Sequence, residues 1–316
     1  MPNNGSMKTV SILIPCYNEQ ENVVDIADAV VDQMLKLPQY DYELVFIDNA
    51  SEDKTRELIR GLCSKNPKIK AIFNARNFGQ FSSPFYGMLQ VTGDCVITMV
   101  CDFQDPVDMI PKYLAEWEKG YKIVLGQKTR SNESRLIYGF RNYYYNFLKK
   151  HSELDFMKQV TGSGLYDRSF IEVMRKVDDP KPFLRGIVAE LGYDIQLIPY
   201  TQPQRRAGKS KNSFYGYVNI AAQSLTAYTR FGVRLALFGG VLALIGSSVA
   251  FLAYIIYDLL TFGTINFGVE TLGLIILIMV SMNLFFIGVV GEYAMDANFH
   301  LRKKPIVVEL ERINFG

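Results

Sequence analysis

Three groups of residues in this 316-residue chain have the types and spacing that chemistry requires. The first is Asp102, Gln104 and Asp105, oxygen donors clustered just past an apolar run. They suit a hard cation such as Mg²⁺ or Mn²⁺, which would bridge a diphosphate. The same residues would also serve, more simply, as caps for a helix beginning near Asp108. The second group closes two earlier apolar runs: Asn18 with Glu19, and Asp48 with Asn49. The third is basic. Arg205, Arg206, Lys209 and Lys211 lie in a stretch from Ile195 to Tyr257 that contains no Asp or Glu. Such a patch would hold the phosphate of a substrate or the anionic headgroups of membrane lipids. Neither GxGxxG nor GxxxxGKS/T occurs, so the common dinucleotide and P-loop cradles are missing and phosphate must be held by other means.

The elements that must position these groups are legible as an alternation. TVSILIP precedes a helical pattern over 19–36, YELVFID one over 52–64, IKAIF one over 80–91, CVITMV one over 108–119, and KIVLG follows. This predicts an α/β fold with a parallel sheet. Such sheets take ligands at the carboxyl ends of their strands, where the polar residues named above fall.

Composition bounds the alternatives. With 49% hydrophobic and 21% charged residues the chain is neither disordered nor collagen-like. Its 34 Lys and Arg against 32 Asp and Glu leave a net charge of +2, so no whole-molecule field points to nucleic acid, and no nucleic-acid partner is expected. Cys16, Cys63, Cys95 and Cys101 show no CxxC spacing and have two histidines to join them, which predicts reduced thiols rather than disulfides or zinc ligands. The front of the chain shows no basic-then-apolar export signal, and residues 1–6 read as an unstructured lead-in.

Hydrophobicity concentrates at the other end. Arg234 and Asp258 bound 23 uncharged residues, and Glu270 and Glu292 bound 21, each long enough as a helix to cross a hydrocarbon layer of roughly 30 Å. The sequence therefore predicts two transmembrane helices. Arg230 and Arg234 precede the first, Arg302, Lys303 and Lys304 follow the second, and the connector has no Lys or Arg. The positive-inside rule then places both termini in the cytoplasm of a multi-pass inner-membrane protein. Gly239, Ala243 and Ser247 form a small-residue stripe, suited to contact between the two spans or between copies in a homo-oligomer. Phe140, Tyr143, Tyr144, Phe147 and Leu148 have helical spacing, as do Phe214, Tyr217, Val218, Ala221, Leu225 and Tyr228. Both stretches fit helices lying on a membrane surface or packed in a core.

PCYNEQEN (15–22), FIDNASEDKT (46–55), NARNFGQ (74–80), CDFQDP (101–106) and RRAGKSK (205–211) resemble, in order, the family 2 glycosyltransferases. Within that family they are similar to the polyprenyl-phosphate sugar transferases, over almost the whole chain. The resemblance implies a GT-A (Rossmann-like) catalytic domain over 1–212, an interfacial helix over 213–232, two membrane helices over 233–293 and a tail over 294–316. It implies a metal-dependent, inverting transfer of one sugar from a nucleotide diphosphate sugar to polyprenyl phosphate at the cytoplasmic membrane face, for modification of cell-envelope glycans. UDP-glucose is the default donor; UDP-N-acetylglucosamine, UDP-galactose and GDP-mannose stay open.

By the same resemblance Pro15, Tyr17 and Glu19 contact the base and ribose, and Asp48 pairs with the base edge. Asp102 and Gln104 hold Mg²⁺ or Mn²⁺, with Asp105 beside them. Arg206, Ser210 and Lys211 take the acceptor phosphate, with Lys128 and Arg141 as further basic residues. The chain departs from the family at three points: Asn49 replaces a second aspartate, Val100 the first metal-motif aspartate, and Gly162 an aspartate proposed as a base. A phosphate monoester has its second pKa near about 6, so an acceptor of that kind is already anionic at neutral pH and needs no base. A non-catalytic, membrane-bound nucleotide-sugar-binding protein is the alternative that Val100 and Gly162 suggest. A processive polysaccharide synthase would carry a Q-x-x-R-W element, whereas Trp117, the sole tryptophan, follows Glu116 in a different pattern.

Overall fold

In the computed structural model the described residues are 7–130, 160–177, 179, 182–203, 268–301 and 304–315, with isolated positions between 246 and 261. Chain contacts divide it into two units, one comprising 1–145, 154–211 and 303–316, the other 146–153 and 212–302.

The first unit is built on the predicted alternation. In order come β1 (Lys8–Cys16), α1 (Val23–Leu35), β2 (Tyr40–Asp48), α2 (Thr55–Lys65), β3 (Ile69–Asn74), α3 (Ser82–Gln90), β4 (Cys95–Thr98), α4 (Met109–Glu118) and β5 (Ile123–Arg130). There follow β6 (Val160–Asp167), α5 (Arg168–Met174), α6 (Leu184–Glu190) and β7 (Ile195–Thr201), and, after the second unit, β8 (Glu309–Ile313). One eight-stranded sheet results, in the order β7-β5-β6-β4-β1-β2-β3-β8.

The α/β class holds, but the expected parallel sheet is corrected to a mixed one. β1, β2, β3 and β4 run parallel, as do β5 and β7, while β6 lies antiparallel between β4 and β5, and β8 antiparallel along β3. The insertion of β6 depends on Gly164, which pairs with both Thr98 and Leu125. A Cβ at Gly164 would stand 2.3 Å from the Val124 carbonyl oxygen, so no larger residue lets the strands close. Because β6 is reversed, its first residues reach the edge at which β4 ends.

Apolar residues fill both faces of the sheet, as expected of strands covered on two sides. One layer joins Ile12, Ile14, Phe46 and Phe73 to α1, α2 and α4; the other joins Leu13, Ile47, Phe85 and Tyr166 to α3, α5 and α6. All four cysteines are buried free thiols, as expected.

The second unit contains α7 (Val269–Leu301) and helical positions between 246 and 261. Among the described residues no helix is long and apolar enough to cross a membrane. The two predicted spans are thus unconfirmed, and the multi-pass inner-membrane placement with cytoplasmic termini is withdrawn. Spanning takes about 20 consecutive apolar residues. The stretches 140–150 and 214–230, and the stripe of Gly239, Ala243 and Ser247, lie outside the described residues.

At the amino ends of the strands sits a buried carboxylate. Glu43, 3% exposed, accepts from Ser11 Oγ at 2.5 Å, Thr92 N at 2.7 Å and Thr92 Oγ1 at 3.0 Å, and pairs with Lys70 at 2.7 Å. Burial alone would raise this carboxyl, but Lys70, Ser11 and Thr92 outweigh it and hold it below the usual glutamate value. A group lowered on folding stabilises the fold above its unfolded value and loses that contribution as pH falls through the folded one. Glu43→Gln should therefore unfold at lower urea than the parent at pH 7, and lose less further stability than the parent below about pH 4. Equal pH slopes for the two proteins would contradict this assignment.

Candidate active site

The carboxyl ends of β1, β2, β3 and β4 face one edge, and the loops leaving them are tied together. Asn18, in left-handed backbone (φ 54°), donates its amide to Ser51 Oγ at 2.8 Å and accepts the Glu52 amide on its side chain at 2.7 Å. The Glu19 amide donates to Thr55 Oγ1 at 2.8 Å, and the Asn49 amide to the Cys16 carbonyl at 2.9 Å. The β1 and β2 loops thus form one surface. Tyr17 and Glu19 lie on it half-buried, and Pro15 and Cys16 end β1 beneath them.

Asp48 ends β2 with no exposed surface. Arg56 Nε meets its Oδ2 at 2.6 Å, and the Ser51 amide donates to both its oxygens at 3.1 and 3.3 Å. Arg56 also donates to the Asn74 carbonyl at 2.7 Å, which fastens β3 to the same centre. Asn49 Oδ1 accepts from Asn74 Nδ2 at 3.1 Å and from the Phe78 amide at 2.9 Å, while its Nδ2 donates to Asn77 Oδ1 at 2.9 Å. The NARNFGQ loop is therefore folded onto Asn49. Amide chemistry suits this place, since Asn49 both donates and accepts there, which a carboxylate cannot do. Asn74 Oδ1 is buried without a hydrogen-bond partner among the described residues.

Beyond β4 the chain turns through Asp102 and Phe103, the latter in left-handed backbone (φ 62°). Asp102 is buried, and its Oδ1 accepts the Gln104 amide at 3.1 Å. Asp105 is also buried, and its two oxygens accept from Tyr200 Oη at 2.8 Å and from the Val100 amide at 3.3 Å. Tyr200 reaches it from β7 across Gly126, where a Cβ would lie 2.8 Å from the Tyr200 ring. Asp105 thus braces the turn, and Asp102 and Gln104 are the residues of it that the sequence expects to hold a cation. Among the described residues no three Asp, Glu, His or Cys side chains gather into a metal cluster. The donor set is one carboxylate and one amide oxygen, and this fits Mg²⁺ or Mn²⁺ completed by water and substrate phosphate.

Lys128 is half-buried on β5 in register with Tyr200 of β7, which places its strand beside the same turn. Arg141, Arg205, Arg206, Lys209, Ser210 and Lys211 lie outside the described residues. Gly162 stands in left-handed backbone (φ 92°) near the start of β6, and its carbonyl accepts from Tyr166 Oη at 2.6 Å and Thr98 Oγ1 at 3.2 Å. Asp167 caps α5, accepting from Ser169 N at 2.9 Å, Trp117 Nε1 at 2.7 Å and Lys122 at 3.1 Å. Burial alone would raise its carboxyl; bonds from Ser169, Trp117 and Lys122 lower it.

Arg56 and Tyr200 were not singled out by the sequence. Arg56 sits in a helical pattern rich in exposed charge, and Tyr200 lies 95 residues from its partner, so neither has a local signal. Asn74 opens the NARNFGQ run that carries part of the family resemblance.

Residues 11–174 match the family model described as Glycosyl transferase family 2. The chain is 29% identical over 299 residues to a prophage bactoprenol glucosyl transferase homolog of Escherichia coli strain K12, covering 94% of this chain and 96% of that protein. It is 30% identical over 287 residues to the bactoprenol glucosyl transferase of Shigella phage SfV, covering 90% and 92%. Among solved structures, a mannosyltransferase from Pyrobaculum calidifontis in complex with GDP-Man and Mn²⁺ aligns with TM-score 0.42 at 16% identity, covering 91% of this chain and 87% of that one.

Removing one partner of a buried ion pair leaves a charge unanswered and costs about 3 kcal/mol or more. Arg56→Met should destabilise the protein by that amount in urea unfolding, and Asp48→Asn added to it should restore part of the loss. A single variant as stable as the parent would show that the pair is not formed in solution.

Proposed function

The chain belongs to glycosyl transferase family 2, and from that premise we propose that it transfers one sugar, with inversion, from a nucleotide diphosphate sugar to polyprenyl phosphate. The observation that carries this reading is the near full-length likeness to proteins named bactoprenol glucosyl transferase, reaching 30% identity. The strand-edge geometry agrees with it.

In this reading the base and ribose lie against Pro15, Tyr17 and Glu19, above the buried Asp48 and Asn49. Asp48, which offers no exposed surface for the base-edge pairing expected of it, takes part through the frame it sets with Arg56, and Asn49 through the NARNFGQ loop it holds. The diphosphate reaches the turn after β4, where Asp102 and Gln104 would hold Mg²⁺ or Mn²⁺. The cation, when bound, supplies charge neutralisation to the leaving diphosphate. Asp105 and Tyr200 keep that turn rigid, so its donors are oriented before the substrate arrives.

An oxygen of the acceptor phosphate attacks the anomeric carbon from the face opposite the diphosphate. The carbon–oxygen bond to the nucleotide diphosphate breaks, and the diphosphate departs with the electron pair. No proton need be removed, because the acceptor phosphate is anionic at neutral pH. What the protein must supply is positive charge at the acceptor. Lys128, half-buried on β5 in register with Tyr200, is proposed for this, together with Arg141, Arg206, Ser210 and Lys211 from the family resemblance. UDP-glucose is the proposed donor.

The test offers radiolabelled UDP- and GDP-sugars to the full-length protein with undecaprenyl phosphate in detergent, with Mg²⁺, Mn²⁺ or EDTA. Label is read in the lipid phase. We expect EDTA-sensitive labelling from UDP-glucose, and Asp102→Asn should reduce it by about 100-fold. Nucleotide binding without lipid label from any donor would overturn the transferase reading in favour of a binding protein.

A further inference from the structure

Beside the start of β6 lies an arginine that neither the family resemblance nor the description above assigns to a substrate. Arg185, near the beginning of α6, is half-buried and donates through Nη1 to the Val160 carbonyl at 3.2 Å. Its guanidinium carbon lies 5.2 Å from the centre of the Phe183 ring. Phe183 in turn meets Phe81, at the head of α3, edge to face at 5.4 Å. The side chain is therefore oriented by a carbonyl and an aromatic wall that belong to the strand-edge surface.

Gly162 stands beside the aliphatic stem of Arg185. Among the described residues a Cβ built there would have Arg185 Cγ at 3.8 Å, Leu184 Cδ2 at 3.9 Å and Tyr166 Oη at 4.0 Å as its nearest neighbours. The left-handed backbone at Gly162 disfavours a side chain at this place. Thr98 and Tyr166 hold its carbonyl. Thr98 ends β4, four residues before Asp102, so Gly162 and Arg185 lie beside the strand end from which the proposed cation-holding turn departs.

Resting on the transferase reading above, we propose that Arg185 binds the phosphate of the acceptor, beside Gly162. A guanidinium presents donors in a planar fork that matches phosphate oxygens two at a time, and it stays charged at any working pH. It would hold the attacking anion against its repulsion from the donor diphosphate. Gly162 would then serve by carrying no charge at this place, where a carboxylate would repel a phosphate.

The experiment compares wild type, Arg185→Gln and Arg185→Lys as full-length proteins. It measures KM for undecaprenyl phosphate, KM for the UDP-sugar that wild type uses, and the Kd for UDP. Losing a charge-assisted bond to phosphate should raise the acceptor KM of Arg185→Gln about tenfold or more. Its UDP Kd and donor KM should stay within about twofold of wild type, since a tenfold change needs about 1.4 kcal/mol. Arg185→Lys keeps the charge and should recover part of the acceptor KM. An unchanged acceptor KM in Arg185→Gln, or an equal weakening of acceptor and UDP, would overturn the assignment while transfer by wild type upheld the reading beneath it. Should Arg185→Gln not fold, Arg185→Lys decides: a raised acceptor KM with unchanged UDP binding supports the proposal, and equal changes in both overturn it. Absence of transfer by wild type would overturn both.

Discussion

A carboxylate with no exposed surface has to be answered from within the protein, and the candidate site is arranged around the answer given to Asp48. Arg56 supplies the charge, the Ser51 amide supplies two further bonds, and the same guanidinium reaches the Asn74 carbonyl. One buried ion pair thereby joins the ends of β2 and β3 to the first turns of α2. Around it, Asn18 and Glu19 lace the β1 loop to the β2 loop, and Asn49 gathers the loop after β3. Three loops that sequence separates by tens of residues become a single preorganised edge. A surface that is already ordered does not have to be ordered by the substrate, which is where positioning gains its advantage in catalysis.

The sheet divides its polar groups between two edges with different duties. At the amino ends, Glu43 is enclosed by Lys70, Ser11 and Thr92, and Asp167 by Trp117, Lys122 and Ser169. These clusters hold strands and helices in place. At the carboxyl ends, Asp102 and Gln104 stand in a turn whose neighbour Asp105 does the bracing. The reversed strand β6 carries Gly162 to this second edge, so an antiparallel insertion that looks like a departure from the parallel plan brings its first residues beside the end of β4.

The front of the chain was legible because each strand there is a short β-branched run followed by a helix of clear period, ending in polar residues. β6 was not, since VTGSGLYD has two glycines and no apolar alternation in its first half, and only pairing with β4 and β5 makes it a strand. β8 hid for the opposite reason. ELERI is charged as an edge strand should be, and its place on β3 depends on distant partners: Arg60 meets Glu311 at 2.6 Å, and Asn314 donates to the Cys63 and Ile69 carbonyls. Site residues at strand ends could be named from the sequence; those that hold them, Arg56 and Tyr200, could not, because their roles come from folding rather than from spacing.

The most direct measurement of the central claim, that one strand edge receives the nucleotide, is hydrogen exchange on the full-length protein with and without UDP and Mg²⁺. The account predicts slowed exchange confined to the segments 15–22, 48–55, 74–80 and 100–105, with the Glu43 cluster unchanged. Protection elsewhere on the chain with these four segments unaltered would contradict it.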